Sequence, residues 1–218
     1  MKKRLLFLLL VLAVAIPVQG QIIFDKETLE YHATLLDEQW EAVYRFTNIG
    51  ETTVTISKVT TSCGCTVATM DKNLYRPGES GEIKALFTFG TRTGTQRKRI
   101  SVETTGVVRK SHSLVMVSHI PKWFEMEPNI LRWKSTEPLA SKELTITVTD
   151  PDLIQLTAPG QLESFDLEIR ENGGGIYVFT ATPHNLRKGI TESISLDAVV
   201  SADGKVRKQP IHVFCLVR

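Results

Sequence analysis

Apolar and polar residues alternate with a period of two through most of this chain, the mark of half-buried β-strands. The clearest run is Gln39 to Thr47, where Trp40, Ala42, Tyr44 and Phe46 face one way and Glu41, Val43, Arg45 and Thr47 the other. Ile22 and Phe24 give a shorter run before it, and Asn48-Ile49-Gly50 supplies a turn after it. Val54 and Ile56 resume the alternation until Val59 breaks it, which predicts a bulge or a strand end. A polar connection through Asp71-Lys72-Asn73 leads to Arg76-Pro77-Gly78-Glu79-Ser80-Gly81, a strong turn signal. Ile83, Ala85, Phe87 and Phe89 then alternate cleanly, Gly90 to Gly94 turn, and Lys98 to Val102 and Leu114 to Val117 complete the first half. About seven short strands at this spacing predict an immunoglobulin-like β-sandwich.

Pro121 opens a second half of the same kind. Trp123, Phe124, Leu131 and Trp133 form an aromatic entry, followed by strand patterns at Leu144 to Val148 and Phe165 to Ile169. Asn172 to Gly175 turns into Ile176 to Phe179, and Asp203-Gly204 joins a strand around Ile194 to Ala198 to another at Ile211 to Val217. The fold class expected is all-β, with two immunoglobulin-like β-sandwich domains in tandem, residues 21–120 and 121–218, abutting near residue 120 without a low-complexity linker.

Residues 1–20 break the pattern. Met1-Lys2-Lys3-Arg4, an apolar block from Leu5 to Ile16, and Val18 and Gly20 ahead of Gln21 make a secretory signal peptide. The block is short for a membrane span, so no membrane insertion is expected after leader removal. Taking Lys2, Lys3 and Arg4 from the 26 basic residues leaves 23 against 24 acidic ones, a net charge of −1. That balance argues against nucleic-acid binding. A hydrophobic content of 42% builds ordinary cores without disulfide stapling.

Candidate chemistry concentrates in Thr61-Ser62-Cys63-Gly64-Cys65-Thr66-Val67, which holds two of the three cysteines. In an extended strand Cys63 and Cys65 point the same way, and Gly64 lets the backbone bend between them. Three readings stand side by side. The cysteines are packed thiols near a strand end, or a disulfide or redox pair that needs local bending because extended i, i+2 Cα atoms sit about 6.5–7 Å apart, or a clamp for copper as Cu(I). Pairing of either with Cys215 or a partner chain is a further option, although Cys215, in the last strand, is expected to be a buried thiol. His32, His112, His119, His184 and His212 are scattered and read as surface or packed histidines, so no metal ligand is assigned. Lys58, Lys72 and Arg76 are candidates for an electropositive setting around the thiols. The basic run Arg92 to Arg99 reads as a solvated hairpin. No Gly-x-Ser-x-Gly, His-Glu-x-x-His or glycine-rich phosphate loop occurs, so no catalytic residue and no cofactor are assigned.

Phe46-x-Asn48-x-Gly50, Ser62-Cys63-Gly64-Cys65-Thr66, Pro77-Gly78-Glu79-x-Gly81-x-Ile83, Phe87 and Gly94 together resemble a bacterial exported domain-of-unknown-function family. The resemblance covers about residues 24 to 118. It implies an immunoglobulin-like fold related to the domains of Hydin and ASPM, and a periplasmic or envelope location, commonly in Bacteroidetes-like bacteria. It makes Asn48, Gly50, Gly64, Pro77, Gly78 and Gly81 structural motif positions beside Cys63 and Cys65. The function expected is a non-enzymatic interaction or assembly module whose partner is another envelope protein, with thiol redox or Cu(I) chemistry at Cys63 and Cys65 as the alternative.

Overall fold

The computed structural model describes residues 21–106, 109–157 and 159–218; the leader expected over residues 1–20 lies outside the described residues. The first domain comprises β1 (Ile22–Phe24), β2 (Thr28–His32), β3 (Gln39–Asn48), β4 (Val54–Thr61), β5 (Thr66–Thr69), β6 (Leu74–Tyr75), β7 (Ser80–Thr88), β8 (Gly94–Thr105) and β9 (Lys110–Ile120). They form two sheets, in the orders β1-β3-β7-β5 and β2-β9-β8-β4-β6. The second domain comprises β10 (Phe124–Glu127), β11 (Ile130–Trp133), β12 (Lys142–Val148), β13 (Ile154–Leu156), β14 (Phe165–Glu171), β15 (Ile176–Pro183), β16 (Thr191–Ala202) and β17 (Lys205–Val217). Its sheets run β10-β12-β15-β14 and β11-β17-β16-β13. Among the described residues no helix is long and apolar enough to cross a membrane.

The alternation selects which faces are buried. Ala42, Tyr44 and Phe46 of β3 and Ile83, Ala85 and Phe87 of β7 all point into the first core. Their ladder sets Tyr44 opposite Ile83 and Phe46 opposite Gly81. The core divides into one cluster running from Ile22 to Ile120 and another from Trp123 to Val217. The Asp203-Gly204 hairpin has both residues at positive φ, 51° and 72°, as a two-residue turn between twisted strands requires. The break at Val59 is a bulge: Ile56 pairs with Thr104 and Lys58 with Glu103, leaving Ser57 extra. That one-residue step reverses the parity of β4, so Val59 turns to the core where Ser57 turns away.

Three expectations need correction. Among the described residues the first domain has nine strands rather than about seven, β2 and β6 being the additional ones. The segment around Lys72 is not simply a polar connection, since Tyr75 within it is 1% exposed. Most strand pairs are antiparallel, but β2 pairs in parallel with β9, and β11 with β17. Finally, Gly64 does not occupy a glycine-only conformation; its φ lies outside the left-handed region, and an added Cβ would meet nothing within 4 Å. Gly81 is the glycine that packing demands. A Cβ there would stand 2.4 Å from Tyr75 Cε1 and 2.7 Å from Phe46 Cζ, two core rings. We therefore expect Gly64→Ala to leave the melting temperature unchanged, while Gly81→Ala lowers stability by about 1–2 kcal/mol through overpacking, as read by thermal denaturation.

The two cores meet at a polar junction. Leu35 and Leu36, in the loop between β2 and β3, pack against the second core. Arg207 of β17 donates from Nη1 to the Leu35 carbonyl (2.9 Å) and from Nη2 to the Gly90 carbonyl (3.3 Å).

Candidate functional site

Cys63-Gly64-Cys65 is not extended strand. It forms the turn by which the chain leaves β4 in the five-stranded sheet and enters β5 at the edge of the four-stranded one. Backbone and hydroxyl groups tie the turn to both sheets. Ser62 N donates to the Arg99 carbonyl (2.9 Å), and Arg99 N donates to Ser62 Oγ (3.1 Å), which fixes it to β8. Thr88 N donates to the Cys65 carbonyl (3.1 Å), which fixes it to β7. Thr66 N donates to the Cys63 carbonyl (3.3 Å), and the Thr61 hydroxyl lies 3.0 and 2.9 Å from the carbonyls of Cys63 and Thr66.

This bending brings the Cα atoms of Cys63 and Cys65 to 5.3 Å, and the two sulfurs are joined as a disulfide. Both cysteines are half-buried, Cys65 packing on the first core, while Ser62 and Gly64 are exposed. While the bond is closed neither sulfur is a thiolate, so Cu(I) could be held only by the reduced pair. Cys215 is free and fully buried among the inward residues of β17. Burial, with Glu192 adding to it, pushes its thiol up to about 11.

Of the basic residues expected around the sulfurs, Lys72 is engaged elsewhere. Lys72 forms an ion pair with Glu79 and sits 5.0 Å above the Tyr75 ring. The same contact, with the Arg76 N–H, holds the Glu79 carboxyl below its usual range. Lys58 lies opposite Glu103 in the β4–β8 ladder, and the Arg76 backbone N–H donates to Glu79 Oε2 (2.8 Å). Nor do Arg97, Lys98 and Arg99 make one patch: Arg97 and Arg99 are exposed, while the Lys98 ammonium turns back over the Phe87 ring at 4.9 Å. Burial, and then Arg92, lowers the Lys98 pKa.

The remaining motif residues gather at the other end of β7. Asn48 is 0% exposed and spends its whole amide on the backbone around it. Its Nδ2 donates to the carbonyls of Thr52 (2.8 Å) and Tyr75 (3.0 Å), while Oδ1 accepts from the N–H groups of Gly50 (3.1 Å) and Gln21 (3.2 Å). Gly78, at φ 75° after Pro77, donates its N–H to the Asn48 carbonyl (2.8 Å). Asn48, Gly50, Pro77, Gly78 and Gly81 thus make a structural knot, and the disulfide stands apart from it.

One constellation was invisible in the sequence. Glu30, His32 and His119 place a potential ligand atom each within 4.8 Å of one another, on adjacent strands β2 and β9. His32 and His119 are therefore not scattered, whereas His184 contacts Asp166 and His212 contacts Ser195, both in the second domain. His112 lies edge-on to Phe24, and burial lowers its pKa. Locally, only the pair Glu30-x-His32 on one face of a short strand hinted at the cluster; His119 joins them through the parallel register.

No curated protein matches the chain. Among solved structures, the VesB protease of Vibrio cholerae is 12% identical over 45% of this chain and 32% of its own, with a TM-score of 0.41, so the chain spans about a third of that protein. The YadV chaperone is 15% identical (88% of this chain, 99% of its own, TM-score 0.35). A protein of unknown function from Porphyromonas gingivalis W83 is 10% identical (90% and 100%, TM-score 0.37). At such scores these likenesses carry no argument about function. Residues 22–118, which span β1 to nearly the end of β9, match the family described as protein of unknown function (DUF1573).

Proposed function

We propose that this chain is an exported, non-enzymatic binding module of the bacterial cell envelope, and that it holds another envelope protein along β5, the edge strand that follows the disulfide. The leader pattern of residues 1–20 and a closed disulfide both favour an oxidising compartment outside the cytoplasm. The observation that carries the reading is the form of β5. It is the last strand of its sheet, and Val67 on its outer face is 60% exposed opposite Leu86. Because Cys65 accepts from Thr88, the alternation of an antiparallel ladder turns the N–H and C=O of Ala68 away from β7, where an added strand meets them. Tying the start of this edge to both sheets and closing it with a disulfide cuts the ordering cost of binding.

A photo-cross-linking residue at position 67 is expected to give one discrete adduct in the envelope, and the same residue at Val206, exposed in the second domain, none. Ala68→Pro, which removes the outward N–H, should reduce the adduct at least tenfold. An adduct insensitive to Ala68→Pro, or none at all, defeats the proposal.

The partial exposure of both cysteine residues favours a second reading, in which the disulfide itself exchanges with a thiol. Native protein should show no reactive thiol, two after mild reduction, and a third only on unfolding, when Cys215 is uncovered. On the binding reading, the Cys63→Ser/Cys65→Ser pair still cross-links through position 67. Loss of a three-residue loop closure costs the domain about 1–2 kcal/mol. On the redox reading, partner capture is lost with the cysteines and a mixed disulfide forms when only one is replaced.

A further inference from the structure

We propose that Glu30, His32 and His119 bind one divalent transition-metal ion of the zinc, nickel or copper(II) class beside the junction of the two domains. The backbone dictates the meeting. In the parallel ladder of β2 and β9, His32 is the direct partner of His119, and their rings stack with centroids 4.4 Å apart. Glu30 lies two residues before His32, on the same outward face of β2. Its Oε1 is 2.5 Å from His119 Nε2 and 4.0 Å from His32 Nε2.

Ligands at 2.0–2.2 Å around a tetrahedral ion stand about 3.4 Å from each other. The present spacings bracket that value. Rotation of the exposed Glu30 and His32 side chains and the half-buried His119 ring, with the ladder unmoved, is enough to reach it. Two imidazoles and one carboxylate select borderline metals: calcium and magnesium take oxygen ligands, and Cu(I) prefers thiolates. The set also has an outer support. Thr95, the ladder partner of His119 on β8, places Oγ1 3.2 Å from His119 Nδ1, which leaves Nε2 facing Glu30. Three protein ligands leave further coordination positions open to water or to a group from another molecule.

The location gives the ion a structural consequence. Ala33 N donates to the His119 carbonyl (2.9 Å), and Leu35 and Leu36 just beyond it pack on the second core beneath Arg207. An ion at this place cross-links the edge strand β2 to β9 at the root of the loop on which the second domain rests.

The test is isothermal titration of tag-free, chelator-stripped protein with Zn²⁺, Ni²⁺ and Cu²⁺, combined with thermal melts and metal counting. The expected result is one ion per chain and a melting temperature raised by roughly 5–10 °C at a hundredfold excess over Kd. His32→Ala and His119→Ala each weaken binding at least tenfold while their metal-free forms melt close to the metal-free parent, because neither side chain belongs to the hydrophobic core. Thr95→Val weakens it less, and His184→Ala leaves it unchanged. Absence of binding by all three metals up to millimolar concentration, or binding that survives the double His32→Ala/His119→Ala replacement, overturns the proposal.

Discussion

Replacing Asn48 with leucine should cost the first domain about 3–4 kcal/mol, a large share of the 5–15 kcal/mol that holds a typical domain together. Leucine has the same branched heavy-atom skeleton, so the loss is chiefly one of hydrogen bonds, with some crowding from its bulkier methyl groups. Four of them disappear together: Gly50 N and Gln21 N lose their acceptor, and the carbonyls of Thr52 and Tyr75 lose their donor. Each pairing contributes about 0.5–1.5 kcal/mol net, and a buried group left unpartnered costs about 1–3 kcal/mol. The sum is reduced because Gln21 and Thr52 lie toward the surface and can turn to water. Asn48→Asp at neutral pH should be worse than leucine, because it retains the acceptor for Gly50 and Gln21 but aims a charged oxygen at two carbonyls. Urea unfolding checks the order. The midpoint should fall from wild type to leucine to aspartate with little change in slope. An unchanged midpoint for the leucine variant would mean that the knot is held by its backbone alone.

The same residue shows what a sequence can carry. Asn48, Gly50, Pro77 and Gly78 declare a turn locally, and the alternation of β3, β7, β12 and β16 declares which side faces the core. Those signals depend on neighbours a few positions apart. Features set by pairing across long separations left no such trace. Whether β2 joins β9 in parallel or antiparallel decides if His32 meets His119, and no local periodicity encodes that choice. Tyr75 gives no periodic signal because it is a single buried ring in a polar stretch, in a two-residue strand. The cysteine turn reads as extended in the sequence because its neighbours are strand-like, whereas hydrogen bonds to Arg99 and Thr88 on two different sheets bend it. Gly64 and Gly81 exchanged roles for a related reason. A glycine needed for backbone freedom and one needed to leave room for two rings look alike until the rings are placed.

In β17, by contrast, the long-range contact has a signal legible in the sequence. Ile211, Val213, Cys215 and Val217 fix the inward parity, and counting back by twos puts Gln209 and Arg207 on that same face. A strand whose inner face changes from apolar to charged must leave its own core at that end, and here it meets the first domain. Arg207 is 7% exposed, its guanidinium 5.2 Å above the Trp123 ring and bonded to the Leu35 and Gly90 carbonyls. Burial pulls its pKa down, and Glu38 and Asp37 act in the opposite sense. Asp37 is itself held in place: burial raises its pKa, but hydrogen bonds from Thr34 and Tyr31, helped by Lys205, outweigh that and keep it below the usual range. Because that carboxylate is depressed in the folded state, its contribution is present near neutral pH and is lost as the medium is acidified through its pKa. Arg207→Met keeps much of the length and apolar contact but removes both donors, which strands two carbonyls at the junction. The expected cost is about 2–3 kcal/mol, and it should appear as a loss of coupling. Calorimetry should show the two domains melting separately where the parent melts once, the radius of gyration in solution should rise, and protease should cut between β2 and β3. Arg207→Lys should fall between, since one ammonium cannot reach both carbonyls in a fixed fork or lie flat on the indole. A single unshifted transition in Arg207→Met would show instead that Leu35 and Leu36 hold the domains together without it.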